Sequence, residues 1–379
     1  MAKRALELNL RSEKAQQAVR ILRVLRGQGH SAYLVGGCVR DLLLGREPAD
    51  YDIATSATPQ QVMRIFPETY AVGAQFGVVL IPVLRDGAGG ERANYSIEVA
   101  TYRSDGAYSD GRHPDEVRFS TEARLDVQRR DFTINGMLLD PLTQEVLDYV
   151  GGGADLERGI VRTIGDPHRR FSEDKLRMLR ALRFAARFEY QIDSQTLAAI
   201  RELAPQIQQV SRERVRDEIL KMLTEGHARR AFELLDATNL LQHVLPEIKR
   251  MQGVEQPPQF HPEGDVWIHT LMLLEGLPAG CSRTLALGVL LHDVGKPPTF
   301  RRAPDRIRFD NHAEVGTCMA EEICRRFRMS NEEIHQVASL VANHMRFGDV
   351  MRMKESTLKR FFRLPRFPEH LELHRLDCL

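Results

Sequence analysis

Two carboxylates one residue apart, Asp50 and Asp52, follow a Gly36-Gly37 pair after twelve intervening residues. No other feature constrains the N-terminal fold as strongly. The segment reads SAYLVGGCVRDLLLGREPADYDIATSA. Tyr33 to Val35 predict a short buried strand, and Cys38 to Leu44 predict one or two helical turns stopped by Gly45. A glycine pair between strand and helix lets backbone amides and a helix N-terminus approach a phosphate chain. Arg40, in the first turn, is placed to add a charge-assisted contact. Side chains alternate along a strand, so a strand over 49–54 would put Asp50 and Asp52 on one side. Two carboxylates there, beside a triphosphate cradle, suit Mg²⁺ ions for phosphoryl transfer. A D-x-D pair alone is usually a surface or turn feature; the strand–turn–helix–strand order gives it weight.

At 379 residues the chain is too long for one small core, and two to four domains are expected. The formal net charge is only +1, so contact with nucleic acid must come from local basic patches. Five scattered cysteines with no C-x-x-C argue for reduced thiols, a cytoplasmic location and no zinc ribbon. The start, MAKRALELNL, lacks an apolar leader, and no run approaches eighteen apolar residues. Secretion and membrane spanning are therefore not expected.

Residues 12–28 carry an amphipathic helical pattern, with Ala18, Ile21, Leu22 and Leu25 on one side. Strand-like runs follow at 33–35, 49–54, 76–84 and 95–103, the last two split by the turn RDGAGGERAN. VGGGADLERG then breaks the pattern near residue 150, and helical character dominates from about 155, with helices expected at 172–188, 194–202, 211–224 and 228–237. MQGVEQPPQFHPEGD is the best second boundary. The fold class expected is α+β, a small mixed-sheet head followed by an all-α neck and body. The domains expected are a catalytic head at 1–150, a neck at 151–225 and a helical body at 226–379.

Arg129 and Arg130 precede the buried-looking FTIN segment and suit a polyphosphate clamp, although from this piece alone a solvated basic pair is the favoured reading. Glu98, in SIEVATYR, sits where a third metal-site carboxylate could project from the next strand, or on a solvent edge. In FSEDKLRMLRALRFAARF, Ser172 can cap a helix with Glu173 and Asp174 in its first turn. Arg177, Arg180, Arg183 and Arg187 then fall within an arc of roughly 120°. The stripe lacks the interleaved acids that usually neutralise one, which favours an anionic ligand.

Gly36-Gly37-x-Val39-Arg40-Asp41, Asp50-x-Asp52, RRDFTIN and Glu173-Asp174-x-x-Arg177 together resemble the class II nucleotidyltransferases, which comprise the tRNA CCA-adding enzymes and bacterial poly(A) polymerases. The resemblance runs from about residue 20 to 225, ending in SRERVRDEILKML. It implies a polymerase β-like nucleotidyltransferase head with Mg²⁺ on Asp50 and Asp52; Glu98, from its strand position, is taken with them as a third candidate catalytic acid. It implies nucleotide contacts from Gly36, Gly37, Arg40 and Arg130. It also implies base reading by Asp174 and Arg177, with Arg180 and Arg183 lining the nucleotide site. The arm GAYSDGRHPDEVRF (106–119) resembles the flexible element that CCA-adding enzymes keep. Base reading has an independent chemical rationale. Cytosine and adenine each offer an exocyclic amine beside a ring-nitrogen acceptor, whereas guanine and uracil present the reverse. A carboxylate accepting from the amine and a guanidinium donating to the ring nitrogen would admit C and A and reject G and U.

Residues 261–379 hold eight of the thirteen histidines. His269, the His292-Asp293 pair, His312, His344 and Asp377 lie at long spacings on apolar helical segments. Imidazoles and carboxylates spread over several helices can converge on a divalent metal. This region resembles an HD-type phosphohydrolase domain. The resemblance makes His269, His292, Asp293 and Asp377 the principal ligands of a second divalent metal (Ni, Mn or another), with His312 and His344 lining the site or holding a further ion. Asp377 sits near the end of the sequence, and a helix ending there is abrupt, the pattern of a chain cut short, which would weaken this centre. The expected function is template-independent addition of C and A to tRNA 3′ ends from CTP and ATP, with an HD phosphohydrolase side activity. The alternatives are a poly(A) polymerase, an A-adding enzyme, or an HD phosphohydrolase with an RNA-binding head. A (p)ppGpp synthetase/hydrolase is set aside, because its hydrolase part comes first. Oligomeric state is not legible.

Overall fold

The computed structural model describes residues 10–71, 73–83, 95–106, 108, 111, 114–257, 264–304 and 306–378. The turn at 85–94 and part of the 106–119 arm lie outside the described residues. The chain divides into two compact units, Met1–Asp174 with Gln191–Thr196, and Lys175–Tyr190 with Leu197–Leu379.

In the first unit Ser12 caps the helix Glu13–Gly27, which buries Ala15, Ala18, Ile21, Leu22 and Leu25. Its sheet is built from β1 (Ala32–Val35), β2 (Asp52–Thr55), β3 (Val78–Pro82), β4 (Ser96–Thr101), β7 (Met137–Asp140) and β8 (Glu145–Asp148). The strand order is β3-β4-β2-β1-β7-β8. Only the β2–β4 pair is parallel, so the sheet is mixed. Val35, Ala54, Tyr102, Val127 and Leu138 form a core cluster beside it. The base of the 106–119 arm is a hairpin of β5 (Arg103–Asp105) and β6 (Val117–Phe119).

The head continues past the expected boundary at 150. The helix Gly152–Arg158 packs on the turn Thr133–Asn135 so closely that a β-carbon on Gly152 would lie 2.2 Å from the Thr133 carbonyl oxygen. Beyond it, β9 (Ile160–Val161) pairs in parallel with β10 (Gln191–Ile192), which draws 191–196 back to this unit. The single helix expected over 172–188 is two. Asp166, not Ser172, caps Pro167–Glu173; Asp174 is extended at φ −150°, ψ 106°, and a new helix runs Leu176–Arg187. Ser172 lies inside the first of these, so its hydroxyl is not an N-cap.

The second unit is almost entirely helical. Its HD-like part contains the helices Val266–Glu275, Arg283–Leu291, His312–Arg326, Asn331–Asn343 and Phe367–Asp377. One hairpin interrupts them, β11 (Phe300–Arg302) with β12 (Ile307–Phe309). No helix among the described residues is long and apolar enough to cross a membrane.

Candidate active site and metal centre

The parallel β2–β4 register sets Asp52 directly beside Glu98, so both carboxylates leave the sheet on the same face. Their proximity has an electrostatic signature. The Asp52 carboxyl is pushed up to about 6 by burial first and by Glu98 next, with Arg130 pulling it down and Asp50 pushing it up. Glu98 is also raised, by loss of water, against the pull of Arg130, Arg129 and Arg103. An acid pair destabilised in this way is relieved by a cation, so the residues fit a divalent ion.

Asp50 departs from the expected alternation. β2 begins at Asp52, and Asp50 lies in the preceding bend with its side chain 82% exposed and 3.4 Å from Lys14 Nζ. Lys14 also bonds the Ala49 carbonyl, which pins this bend out of the strand.

Gly36 is the turn that faces these acids. It holds φ 78°, a conformation that glycine adopts without strain. A β-carbon there would stand 3.5 Å from Arg130 Nη1 and 3.9 Å from Asp52 Oδ2. The helix Gly37–Leu43 that follows has no side-chain cap on its first amides. Arg40 is buried: its guanidinium meets Asp41 at 2.8 Å and donates to Asn135 Oδ1 at 2.7 Å. It therefore ties the glycine-turn helix to the FTIN segment.

Asp126 is the residue sequence reasoning missed. Its carboxylate is fully buried and accepts from both guanidiniums of the RR pair. Arg129 Nη2 and Nε lie 2.7 and 2.9 Å from Oδ1, and Arg130 Nη2 and Nε lie 2.9 and 3.2 Å from Oδ2. Burial pushes the Asp126 carboxyl up, but the two arginines outweigh it and hold it below its ordinary value. The signal was present as Asp126, Arg129 and Arg130 at i, i+3 and i+4, with Asp126 in the short helix Ala123–Gln128 and the two arginines at and just past its C-terminal end.

Asp174 closes the helix Pro167–Glu173 in the first unit, and Arg177 lies in the opening turn of Leu176–Arg187 in the second. The arginine stripe is not without acids. Arg183 is buried, with Nε 2.7 Å from Glu218 and Nη1 3.1 Å from Glu225. Arg187 reaches Glu225 at 3.2 Å, and Arg180 lies 4.0 Å from Glu218. The neutralising carboxylates come from the helix Arg212–Thr224 and its end, so a reading confined to one helix could not see them.

All six HD-region residues singled out in the sequence converge. His269, His292 and Asp377 present ligand atoms within 4.8 Å of one another, as do Asp293, His312 and His344. His269 Nε2 lies 3.0 Å from Asp377 Oδ1, so the terminal helix still reaches the centre. Asp293 joins the two groups, with Oδ2 3.2 Å from His292 Nε2 and Oδ1 3.7 Å from both His312 Nε2 and His344 Nε2. The Nδ1 atoms of His292, His312 and His344 lie 2.8, 2.9 and 2.6 Å from the carbonyls of Val289, Phe309 and Val341. These partners assign Nδ1–H tautomers, which turn the Nε2 lone pairs inward. Two such atoms, on His312 and His344, face each other at 3.3 Å. His292 Nε2 and Asp293 Oδ1 are buried without a hydrogen-bond partner. Lone pairs packed against lone pairs are costly unless a cation sits among them, so this centre can hold divalent metal. Lys296, which the sequence reading passed over, lies 2.6 Å from Asp293 Oδ2.

Three family profiles match the chain: a poly A polymerase head domain over residues 32–162, a probable RNA and SrmB-binding site of polymerase A over 189–252, and an HD domain over 265–374. Among curated relatives, the CCA-adding enzyme of Bacillus pumilus is 40% identical over 272 residues, covering 70% of this chain and 65% of the relative. That of Enterococcus faecalis is 44% identical over 208 residues, covering 55% and 49%. The matched segments thus span about half to two thirds of these relatives' length. The crystal structure of the Bacillus stearothermophilus CCA-adding enzyme in complex with CTP superposes with TM-score 0.68 at 28% identity, covering 96% of this chain and 82% of that one. The Thermotoga maritima CCA-adding enzyme complexed with tRNA shares the fold at TM-score 0.60 and 20% identity, covering 99% and 81%. The chain belongs to the class II nucleotidyltransferases, the family of CCA-adding enzymes and bacterial poly(A) polymerases, and carries a C-terminal HD domain.

Proposed function

We propose that the protein adds C and A, from CTP and ATP, to the 3′ end of tRNA without a nucleic-acid template, in the cytoplasm. The observation that carries this reading is the pairing of Asp52 with Glu98 next to the Gly36 turn and Arg130. Asp52 and Glu98 would hold Mg²⁺, which when bound supplies Lewis-acid activation of the RNA 3′-hydroxyl and charge for the departing pyrophosphate. The chain's own contribution is positional. Gly36 and Gly37 leave room for the triphosphate, Arg130 offers Nη1 to it, and Arg40 fixes the turn's helix through Asn135. Arg180 and Arg183 support the nucleotide site, Arg183 through its anchoring on Glu218 and Glu225.

A poly(A) polymerase or an A-adding enzyme shares these acids. Labelled CTP offered with tRNA lacking its terminal CCA separates the readings: incorporation of C is expected, and exclusive use of ATP would overturn the proposal. Base choice is assigned to Asp174 and Arg177. Asp174→Ala is expected to erode discrimination against UTP and GTP by on the order of 10–100-fold, because the amine of C or A loses its acceptor. Unchanged discrimination in competition assays would remove Asp174 from that role.

A second reading is favoured by the convergent HD centre. His269, His292, Asp293 and Asp377, with His312 and His344, would hold divalent metal, Mn²⁺ or Ni²⁺ among the candidates, and support phosphoester hydrolysis as a side activity. Metal-dependent release of phosphate that disappears in Asp293→Ala would establish it.

A further inference from the structure

Beside the HD centre lies a cavity of about 470 Å³, lined by Asp293, His312, His344 and Asp377 on one side. The remaining wall is of a different character. The β11–β12 hairpin brings Arg306 and Arg308 to it, together with Ile307 and Phe309, and Met345 and Pro257 complete an apolar stretch. The second strand of this hairpin runs directly into the metal-facing helix: His312 donates its Nδ1–H to the carbonyl of Phe309. Lys296 lines the same cavity, but its ammonium is taken by Asp293 and by Gln256, each at 2.6 Å. It supplies charge without being available as a direct ligand.

We propose that the β11–β12 hairpin is the phosphate-gripping arm of the HD cleft, with Arg306 and Arg308 as its contacts, and that the cleft takes a phosphate monoester of single-nucleotide size. The inference rests on the second reading above, that this centre holds metal. The cavity lining carries Lys296, Arg306 and Arg308 against Asp293, Asp310 and Asp377, so its fixed charges balance. Divalent metal then leaves the cleft cationic, and a dianionic monoester offsets that charge better than a monoanionic diester. The volume suits a small ligand and is far too small for folded RNA. Phe309, Ile307 and Met345 form the apolar surface against which a base or other flat group would lie.

The test is equilibrium binding to the Mn²⁺-loaded protein, with bound metal quantified in parallel. The probes are inorganic phosphate, adenosine monophosphate, bis(p-nitrophenyl) phosphate and a short RNA bearing a 3′-terminal phosphate. The expected order is adenosine monophosphate tightest, then phosphate, with the diester weakest and the RNA no tighter than the free nucleotide. Arg308→Met and Arg306→Met are each expected to weaken phosphate and nucleotide binding about 10-fold or more at unchanged metal content, with partial recovery in Arg308→Lys. Unchanged affinity in both methionine variants would overturn the role of the hairpin. Preference for the diester would overturn the charge assignment, and preference for the RNA would overturn the size assignment. Failure of the wild-type protein to take up metal would instead sink the reading on which the inference rests. The metal measurement keeps that failure distinct.

Discussion

Asp52→Ala is expected to reduce nucleotide incorporation by on the order of 10³-fold while leaving tRNA affinity near that of the wild type. The loss should fall on kcat, since the side chain meets Glu98 across β2 and β4 and, in the proposed role, serves the reacting phosphate and not the RNA body. A second measurement separates this catalytic role from a structural one. The Asp52 carboxyl is raised to about 6 by burial and by Glu98, so its ionised form burdens the folded state. That burden is absent below the unfolded value near 4 and grows as pH rises through 6. Metal-free Asp52→Asn should therefore be more stable than wild type at pH 7.5, by about 1–2 kcal/mol, and the gain should vanish near pH 4. Denaturant titrations at the two pH values check the sign. A variant that loses both activity and stability at pH 7.5 would contradict the assignment.

Asp126→Ala carries the second large effect. Removing the one carboxylate that holds both Arg129 and Arg130 leaves two guanidiniums beside each other, and loss of a buried ion-pair partner costs about 3–5 kcal/mol. Because the arginines hold the Asp126 carboxyl below its ordinary value, its contribution is present above the unfolded value and fades as pH falls below it. Wild type and variant should therefore converge in acid. Catalysis should fall as well: after Asp126, Asp52 is the acid that acts most strongly on Arg130, and an ion pair between them would compete with metal. Asp126→Asn keeps the shape and half the acceptor capacity and should sit between the two in stability. A raised Mg²⁺ requirement in that variant, measured by half-saturation, would report the misplaced guanidinium. A variant as stable and as active as wild type would remove the anchor role.

Much of the head was legible because its signals are local. The glycine turn and the strand periodicity follow from residues within a few positions of one another, whereas Glu98 comes beside Asp52 only through the parallel pairing of β2 with β4. Asp50 was misplaced because the lysine that holds its bend, Lys14, comes from a helix 36 residues earlier. The arginine stripe was read as uncompensated for the same reason, since Glu218 and Glu225 arrive from a packed neighbour. The break at Asp174 hid because the residues on either side are good helix formers, and only the Asp166 cap and the extended backbone reveal two helices. The convergent HD-region residues could be picked out at long spacings because histidines on apolar helices are conspicuous by type. Lys296 was not, since a lysine beside a helix end has a solvated face as its ordinary explanation.

Asp377 closes the HD centre from the last helix onto His269, 108 residues earlier. An ion gripped there would act as a clasp between the ends of that region, so occupancy and native-state cohesion are thermodynamically linked through the ion's free concentration. Chelation should accordingly speed amide exchange along Phe367–Asp377 before it disturbs the sheet of the other unit.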